Sequence, residues 1–343
     1  MNKKHWIRHT GAVAHFLLCF FIASAAWGQT TKPAISAVVR IGVTVEDMDR
    51  SIDFYTKVLD FKKVSDDEIA GEKYEQLFGV FGMRARIVQL RLGEETVELT
   101  QYLTPRGRVV PRDSRSNDRW FQHIAIVTSD MDRAYPRLRA HKVQHASTGP
   151  QTLPDWNKNA GGIRAFYFRD PDDHVLEVIW FPSGKGNPRW QKSKELFAGI
   201  DHTAIVVRDT AKALAFYRDL LGMKVVGESE NYGTEQEHLN NVAGARLKIT
   251  AMRAESGPGV EFLEYLTPGD GRAFPRDAKG NDLFYWQTMV VSNDLAGVAA
   301  KVRDLRRGEV EGEIVKGVSA ATGFDQGLRL RDADGHFLMV VGK

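Results

Sequence analysis

The sequence predicts an α+β fold built from four consecutive βαβββ units, and three observations carry that expectation. The chain of 343 residues is 43% hydrophobic and 27% charged, a balance that suits a folded core and excludes a disordered or fibrous protein. Its second half repeats its first at a nearly constant offset. Within each half, two stretches of roughly 60–80 residues each open on an apolar or β-branched run, as half-buried strands do.

In chain order the first feature is a leader. Lys3, Lys4 and Arg8 precede an apolar stretch over 11–26, and Ala26-Trp27-Gly28 offers small residues for a cut before Gln29. Residues 1–28 therefore read as a secretory signal peptide, and the mature chain as periplasmic or secreted. A retained membrane anchor is the poorer reading, because a stretch holding Gly11, His15 and Ser24 is short for a span. Cys19 follows Leu18, where a lipoprotein cysteine needs a small residue. Losing the leader removes three basic and no acidic residues, which leaves 44 of each sign in the mature chain. That neutrality gives no general drive toward nucleic acid. Cys19 is the only cysteine, so disulfides and thiolate metal sites are excluded; a metal must be held by His, Asp, Glu or water.

The duplication organises the rest. Tyr102-Leu-Thr-Pro105 returns as Tyr265-Leu-Thr-Pro268, Pro111-Arg-Asp113 as Pro275-Arg-Asp277, and Asp170-Pro-Asp-Asp-His174 as Asp332-Ala-Asp-Gly-His336. The halves run over 36–186 and 198–343, and 187–197 joins them, with 183–188 read as flexible. In the first unit a strand over 38–45 leads to the acidic helix start 46–49. Ile52, Tyr55 and Leu59 then keep one helix face apolar. Strands follow near 62–64, 86–92 and 96–102. The same pattern restarts at His123, His202 and Gln287. Phe216-Tyr-Arg-Asp-Leu-Leu-Gly222 ends a helix at a glycine able to take the left-handed conformation, and Phe54-Tyr-Thr-Lys-Val-Leu-Asp60 echoes it with Asp60 in that place.

With these motifs the chain resembles the vicinal oxygen chelate superfamily, which includes glyoxalase I, methylmalonyl-CoA epimerase, fosfomycin-resistance proteins and extradiol dioxygenases. The resemblance covers about 36–343 and implies mixed sheets that curl into clefts around a divalent metal, each unit offering one ligand slot on its first strand and one on its last. The slots fall on Arg40 and Glu98, His123 and Glu177, His202 and Glu261, and Gln287 and Met339. Glu98 beside Arg40 reads as an ion pair instead. His174 and His336 lie in turns and are expected to be solvated. His5, His9, His15, His141, His145 and His238 match no slot.

Two pairings are open. Adjacent pairing, one with two and three with four, would leave both sites damaged by Arg40, Gln287 or Met339. Crossed pairing, one with four and two with three, gathers those three residues in one lost site and leaves His123, Glu177, His202 and Glu261 as one complete set. It is the better reading. The set suits Zn²⁺, Ni²⁺, Mn²⁺, Fe²⁺ or Co²⁺. The resemblance then implies a glyoxalase- or epimerase-like enzyme that stabilises an enediolate on a small substrate with vicinal oxygens, with Glu177 or Glu261 as the base. The alternatives are an extradiol-type ring-cleaving dioxygenase and a non-catalytic small-molecule binder. Tyr102 and Tyr265 are candidates for the cleft mouths. Arg112 or Arg276 is a candidate anion contact, with a structural linker role the better reading. Oligomeric state is not encoded in any motif.

Overall fold

The computed structural model describes residues 1–2 and 34–342, without the side chain of Ser319. The expected leader, residues 1–28, lies outside the described residues except for its first two. Unit one comprises β1 (Ala37–Val45), α1 (Met48–Leu59), β2 (Lys62–Ala70), α2 (Glu72–Phe78), β3 (Arg84–Leu92) and β4 (Glu95–Thr104). Unit two comprises β5 (Gln122–Thr128), α3 (Met131–Ala140), β6 (Gln144–His145), β7 (Gln151–Thr152), β8 (Arg164–Arg169) and β9 (Val175–Trp180). After a 3₁₀ turn at Trp190–Lys192, unit three runs through β10 (Phe197–Val207), α4 (Thr210–Tyr217), β11 (Lys224–Tyr232), α5 (Thr234–Asn240), β12 (Arg246–Arg253) and β13 (Gly259–Thr267). Unit four holds β14 (Trp286–Val291), α6 (Leu295–Leu305), β15 (Glu309–Lys316), α7 (Ser319–Thr322), β16 (Gln326–Arg331) and β17 (Phe337–Gly342).

The units pair crosswise. One mixed sheet has the order β15-β16-β17-β14-β1-β4-β3-β2 and joins units four and one. The other, β11-β12-β13-β10-β5-β9-β8-β6 with β7 beside β8, joins units three and two. Both sheets stay open at their ends, so neither is a closed barrel. The opening strands of paired units meet antiparallel, β1 with β14 and β10 with β5, and each opening strand lies parallel to the last strand of its own unit.

Apolar packing follows the other division. Helices α1 and α3 share one core with outward faces of strands from units one and two, including Tyr55, Leu59, Leu138, Ile126 and Phe166. Helix α4 and helix α6 share a second core with units three and four, including Phe216, Tyr217, Val298, Val302 and Phe262. Each half of the sequence thus supplies most of one helix-packed core, with a few side chains such as Phe197, Ile200 and Val38 crossing over, while each sheet draws strands from both halves.

Helix α1 begins within the acidic start expected over 46–49, and two later helices open the same way. Asp47, Asp130 and Asp209 cap α1, α3 and α4 by accepting from free backbone N–H groups of the first turn. Asp60 and Gly222 both have positive φ, 63° and 85°, although α4 itself stops at Tyr217 and reaches Gly222 through turns. Helices α2 and α5, between the second and third strands of their units, are elements the sequence reading did not anticipate.

The solvated turn expected for His174 and His336 is corrected: both are buried. His174 Nδ1 bonds Asp170 Oδ2 at 2.9 Å and Nε2 bonds the Leu283 carbonyl at 2.6 Å, and Tyr55 Oη donates to the same Asp170 oxygen at 3.1 Å. The duplicate is equivalent, with His336 on Asp332 and the Arg119 carbonyl, and Tyr217 on Asp332. A carbonyl only accepts and each carboxylate binds the other nitrogen, so both rings carry two protons. The Asp–His turns are therefore internal clasps between units.

Candidate metal centre

Register explains why distant residues meet. In the sheet of units two and three, Ala204 of β10 faces His123 on one side and Glu261 on the other. Two residues earlier on β10, His202 faces Ala125 and Gly259, and Ala125 in turn faces Glu177. Laterally paired residues share a face, as do residues two apart on a strand. His123, Glu177, His202 and Glu261 therefore project from one face, separated by Ala125, Ala204 and Gly259. The small residues leave room for the four large polar side chains.

Three of the four converge. Nitrogens of His123 and His202 and an oxygen of Glu177 lie within 4.8 Å of one another, the one such group among the described residues. His123 Nε2 is 3.3 Å and His202 Nε2 is 3.6 Å from Glu177 Oε2. Glu261 joins through Oε1, 3.4 Å from His202 Nε2. Donor atoms that share one ion at about 2.0–2.2 Å stand about 3–3.5 Å apart, close to the distances from Glu177 to the two imidazoles, while Glu261 meets the group through His202 alone. Both ring nitrogens of His123 and Nε2 of His202 are buried without a hydrogen-bond partner. Buried imidazole nitrogens are costly when left unpaired, and a divalent metal ion would satisfy Nε2 of both rings, the two that face Glu177. The donor set fits such an ion.

Electrostatics agree with the geometry. Burial alone disfavours a charged His202, but Glu261 and Asp201 outweigh it and hold the ring well above the usual imidazole value. Burial would likewise raise Glu261, and His202 reverses it, lowering the carboxyl. A metal ion would take over the role of that proton. His202 Nδ1 donates to Asp201 Oδ2 at 3.0 Å, which leaves Nε2 directed at the carboxylates.

The centre opens on a cavity of about 460 Å³ whose wall includes Tyr167, Glu177, His202, Gln236 and Glu261. Lys158 and Lys185 are the only other charged side chains on that wall apart from Asp201. Gln236 and Lys185 were missed by sequence reasoning. Gln236 sits on α5, an unanticipated helix, and keeps a buried Oε1 without a partner. Lys185 comes from the segment read as a flexible connection, and its Nζ donates only to the Lys158 carbonyl at 2.8 Å. Of the candidate mouth tyrosines, Tyr102 is buried in an apolar cluster of the other sheet and Tyr265 packs beside Leu239 and Leu247; neither lines this cavity. Arg112 and Arg276 are exposed and also lie off it. Their neighbours Asp113 and Asp277 bind Arg272 and Arg108 of the opposite half, which accords with a linker role.

The corresponding face of the other sheet is closed. Arg40 Nη1 donates to Glu98 Oε2 at 2.9 Å and to the Thr322 carbonyl at 2.6 Å, so the expected ion pair is present. Gln287 lies over Gly42 and accepts from Tyr285 Oη at 2.9 Å. Met289 stands where Ala125 stands in the first sheet, and with Met339, Leu77, Phe78 and Phe324 it fills the space with apolar side chains.

A family model described as the Glyoxalase/Bleomycin resistance protein/Dioxygenase superfamily matches residues 37–178 and again 199–340. A 2-epi-5-epi-valiolone epimerase from Actinomyces sp. is 33% identical over 157 residues, 44% of this chain and 83% of that protein. A lactoylglutathione lyase of Arabidopsis thaliana is 26% identical over 266 residues, 77% of this chain and 80% of its own length. The crystal structure of glyoxalase I from Zea mays is similar with a TM-score of 0.59 at 16% identity, covering 90% of this chain and 92% of that one, which is likeness of fold.

Proposed function

The chain belongs to the Glyoxalase/Bleomycin resistance protein/Dioxygenase superfamily, and on that premise we propose that it is a metal-dependent enzyme of proton transfer. The observation that carries the proposal is the set of four donors on one face, with Nε2 of both imidazoles buried and without a hydrogen-bond partner. His123, Glu177, His202 and Glu261 would hold one divalent ion, whose identity among Zn²⁺, Ni²⁺, Mn²⁺, Fe²⁺ and Co²⁺ the donors leave open. A bound ion supplies Lewis acidity toward vicinal substrate oxygens, which favours an enediolate.

The residues divide the remaining work. Glu261 is the proposed base: its side chain is 19% exposed against 5% for Glu177, and it touches His202 alone among the other donors. Its carboxylate receives the proton from the carbon beside the carbonyl; the C–H electron pair forms a C=C bond to the carbonyl carbon while the C=O π pair moves onto the carbonyl oxygen, and these shifts reverse when the proton returns to the adjacent carbon or to the opposite face. Gln236 offers a buried amide to a substrate hydroxyl, and Lys158 and Lys185 favour a substrate carrying negative charge. The names of the epimerase and lyase relatives support isomerase or lyase chemistry on a small oxygenated molecule.

The test begins with metal content. Untagged mature protein is expected to carry one ion per chain, and His123→Ala or His202→Ala should each lose it, with the double variant no worse because both serve one ion. Loaded enzyme in D₂O should then exchange the proton alpha to the carbonyl in a panel containing lactoylglutathione and 2-epi-5-epi-valiolone. Glu261→Gln should abolish exchange while still binding metal. Independent metal losses in the two histidine variants, or loaded enzyme that binds panel members without exchange, would overturn the proposal; the second result points to a binding protein.

A further inference from the structure

Asp201 precedes His202 on β10, and neighbours on a regular strand point to opposite faces. Here they touch. Ile200 pairs with Ile126 and His202 with Ala125, so the register slips and Asp201 is the extra residue of a β-bulge. The bulge brings its carboxylate to the His202 ring, where Oδ2 accepts from Nδ1 at 3.0 Å. Oδ1 accepts from Trp190 Nε1 at 2.9 Å and from Arg253 Nη2 at 2.8 Å, and Arg253 Nη1 donates to the Asp201 carbonyl at 3.0 Å. The Asp201 side chain is only 9% exposed.

The duplicated strand provides an internal control. Strand β1 keeps a register slip at the equivalent place, between Val38 and Arg40, but the bulge residue there is Val39. The bulge therefore belongs to the fold, while the carboxylate accompanies only the strand that carries a histidine. His123, the other imidazole of the centre, has no hydrogen-bond partner on Nδ1, so no carboxylate stands behind that ring.

We propose that Asp201 is a positioning residue of the metal centre, holding His202 with its proton on Nδ1 and its Nε2 lone pair aimed between Glu177 and Glu261. Trp190 and Arg253 hold Asp201 in turn. Trp190 lies in the segment joining the two halves, so that segment is built into the centre rather than merely connecting. The inference rests on the metal-binding reading above. A carboxylate behind an imidazole ligand fixes the tautomer, orients the ring and raises its basicity, and its loss typically costs about 10–100-fold in metal affinity.

The experiment measures zinc affinity of the mature chain by chelator competition, the absorption bands of its cobalt form, and the melting temperature without metal. A wild-type chain that binds no zinc overturns the metal reading itself. With zinc bound by the wild type, Asp201→Ala should weaken affinity about 10–100-fold. Asp201→Asn and Trp190→Phe should weaken it less, with shifted cobalt bands and a metal-free melting temperature close to wild type. Should Asp201→Ala fail to fold, the two milder variants decide. Wild-type zinc affinity and unchanged cobalt bands in both Asp201→Asn and Trp190→Phe would refute the positioning role, whatever happens to stability.

Discussion

Glu98 and Glu261 occupy equivalent places in the duplicated fold, and the cation beside each decides its state. Burial pushes the Glu98 carboxyl up, and Arg40 draws it only partly back. At Glu261 the pull of His202 wins over burial. Arg40 is a permanent charge that needs no metal, so its pair with Glu98 is structural. Removing one partner of a buried pair leaves an uncompensated charge, whereas replacing both with apolar groups is often neutral. Arg40→Ala should therefore lower stability by about 3 kcal/mol in chemical denaturation, and Arg40→Met with Glu98→Leu should recover most of it. Metal content should be unchanged in both. This pair was legible in the sequence because its two residues filled slots of opposite charge. The burial of His174 and His336 was not, since a turn motif does not tell which carbonyl from another unit covers it.

At the scale of elements, the ends of α1 and α4 show how one backbone conformation is met by different residues. Gly222 has φ of 85° and Asp60 has φ of 63°. A side chain in the left-handed region costs about 1–2 kcal/mol, so Gly222→Ala should destabilise by that amount. Asp60→Gly would gain the same relief, but it loses the paired contacts of Arg137 with Asp60, at 2.9 and 2.5 Å on a half-exposed surface worth about 0–1 kcal/mol. Its melting temperature should therefore be at or above wild type, while that of Gly222→Ala falls by several degrees. Spacing and caps made the first strand, the helix and the last two strands of unit one readable. Helices α2 and α5 are single amphipathic turns or two, too short to impose a period, and the bulge at Asp201 arises only from pairing with β5.

Across the whole molecule, two helix-packed cores divide the chain by halves, and two sheets cross that division. The clasps tie both arrangements together: Tyr55 of unit one, Asp170 and His174 of unit two and the carbonyl of Leu283 before unit four form one, with its duplicate around His336. Burial disfavours a charged His174, but Asp170 and Asp172 overcome it and raise the ring to about 9. An imidazole whose folded value exceeds its unfolded value of about 6.5 contributes in full below that pH and loses its contribution as pH rises through about 9. Thermal stability of the protein should thus decline between about pH 7 and 9.5, and His174→Gln should flatten that decline while lowering stability at neutral pH. An unchanged slope in the variant would assign the alkaline loss elsewhere.

The sequence by itself determined the α+β class, the fourfold unit and the duplication, because strand alternation, helix spacing and repeat offsets are local properties of a chain; the eight slots came from the resemblance those motifs carry. It also favoured the crossed pairing, through the chemistry of Arg40, Gln287 and Met339. Only the tertiary structure decided that His123 and His202 share one face, because that depends on β5 meeting β10 in one register. It likewise decided that Ala125 and Ala204 leave space where Met289 fills it, and that Asp201 turns toward His202. Such facts depend on which surfaces meet across about 80 residues of sequence, and no periodicity records that.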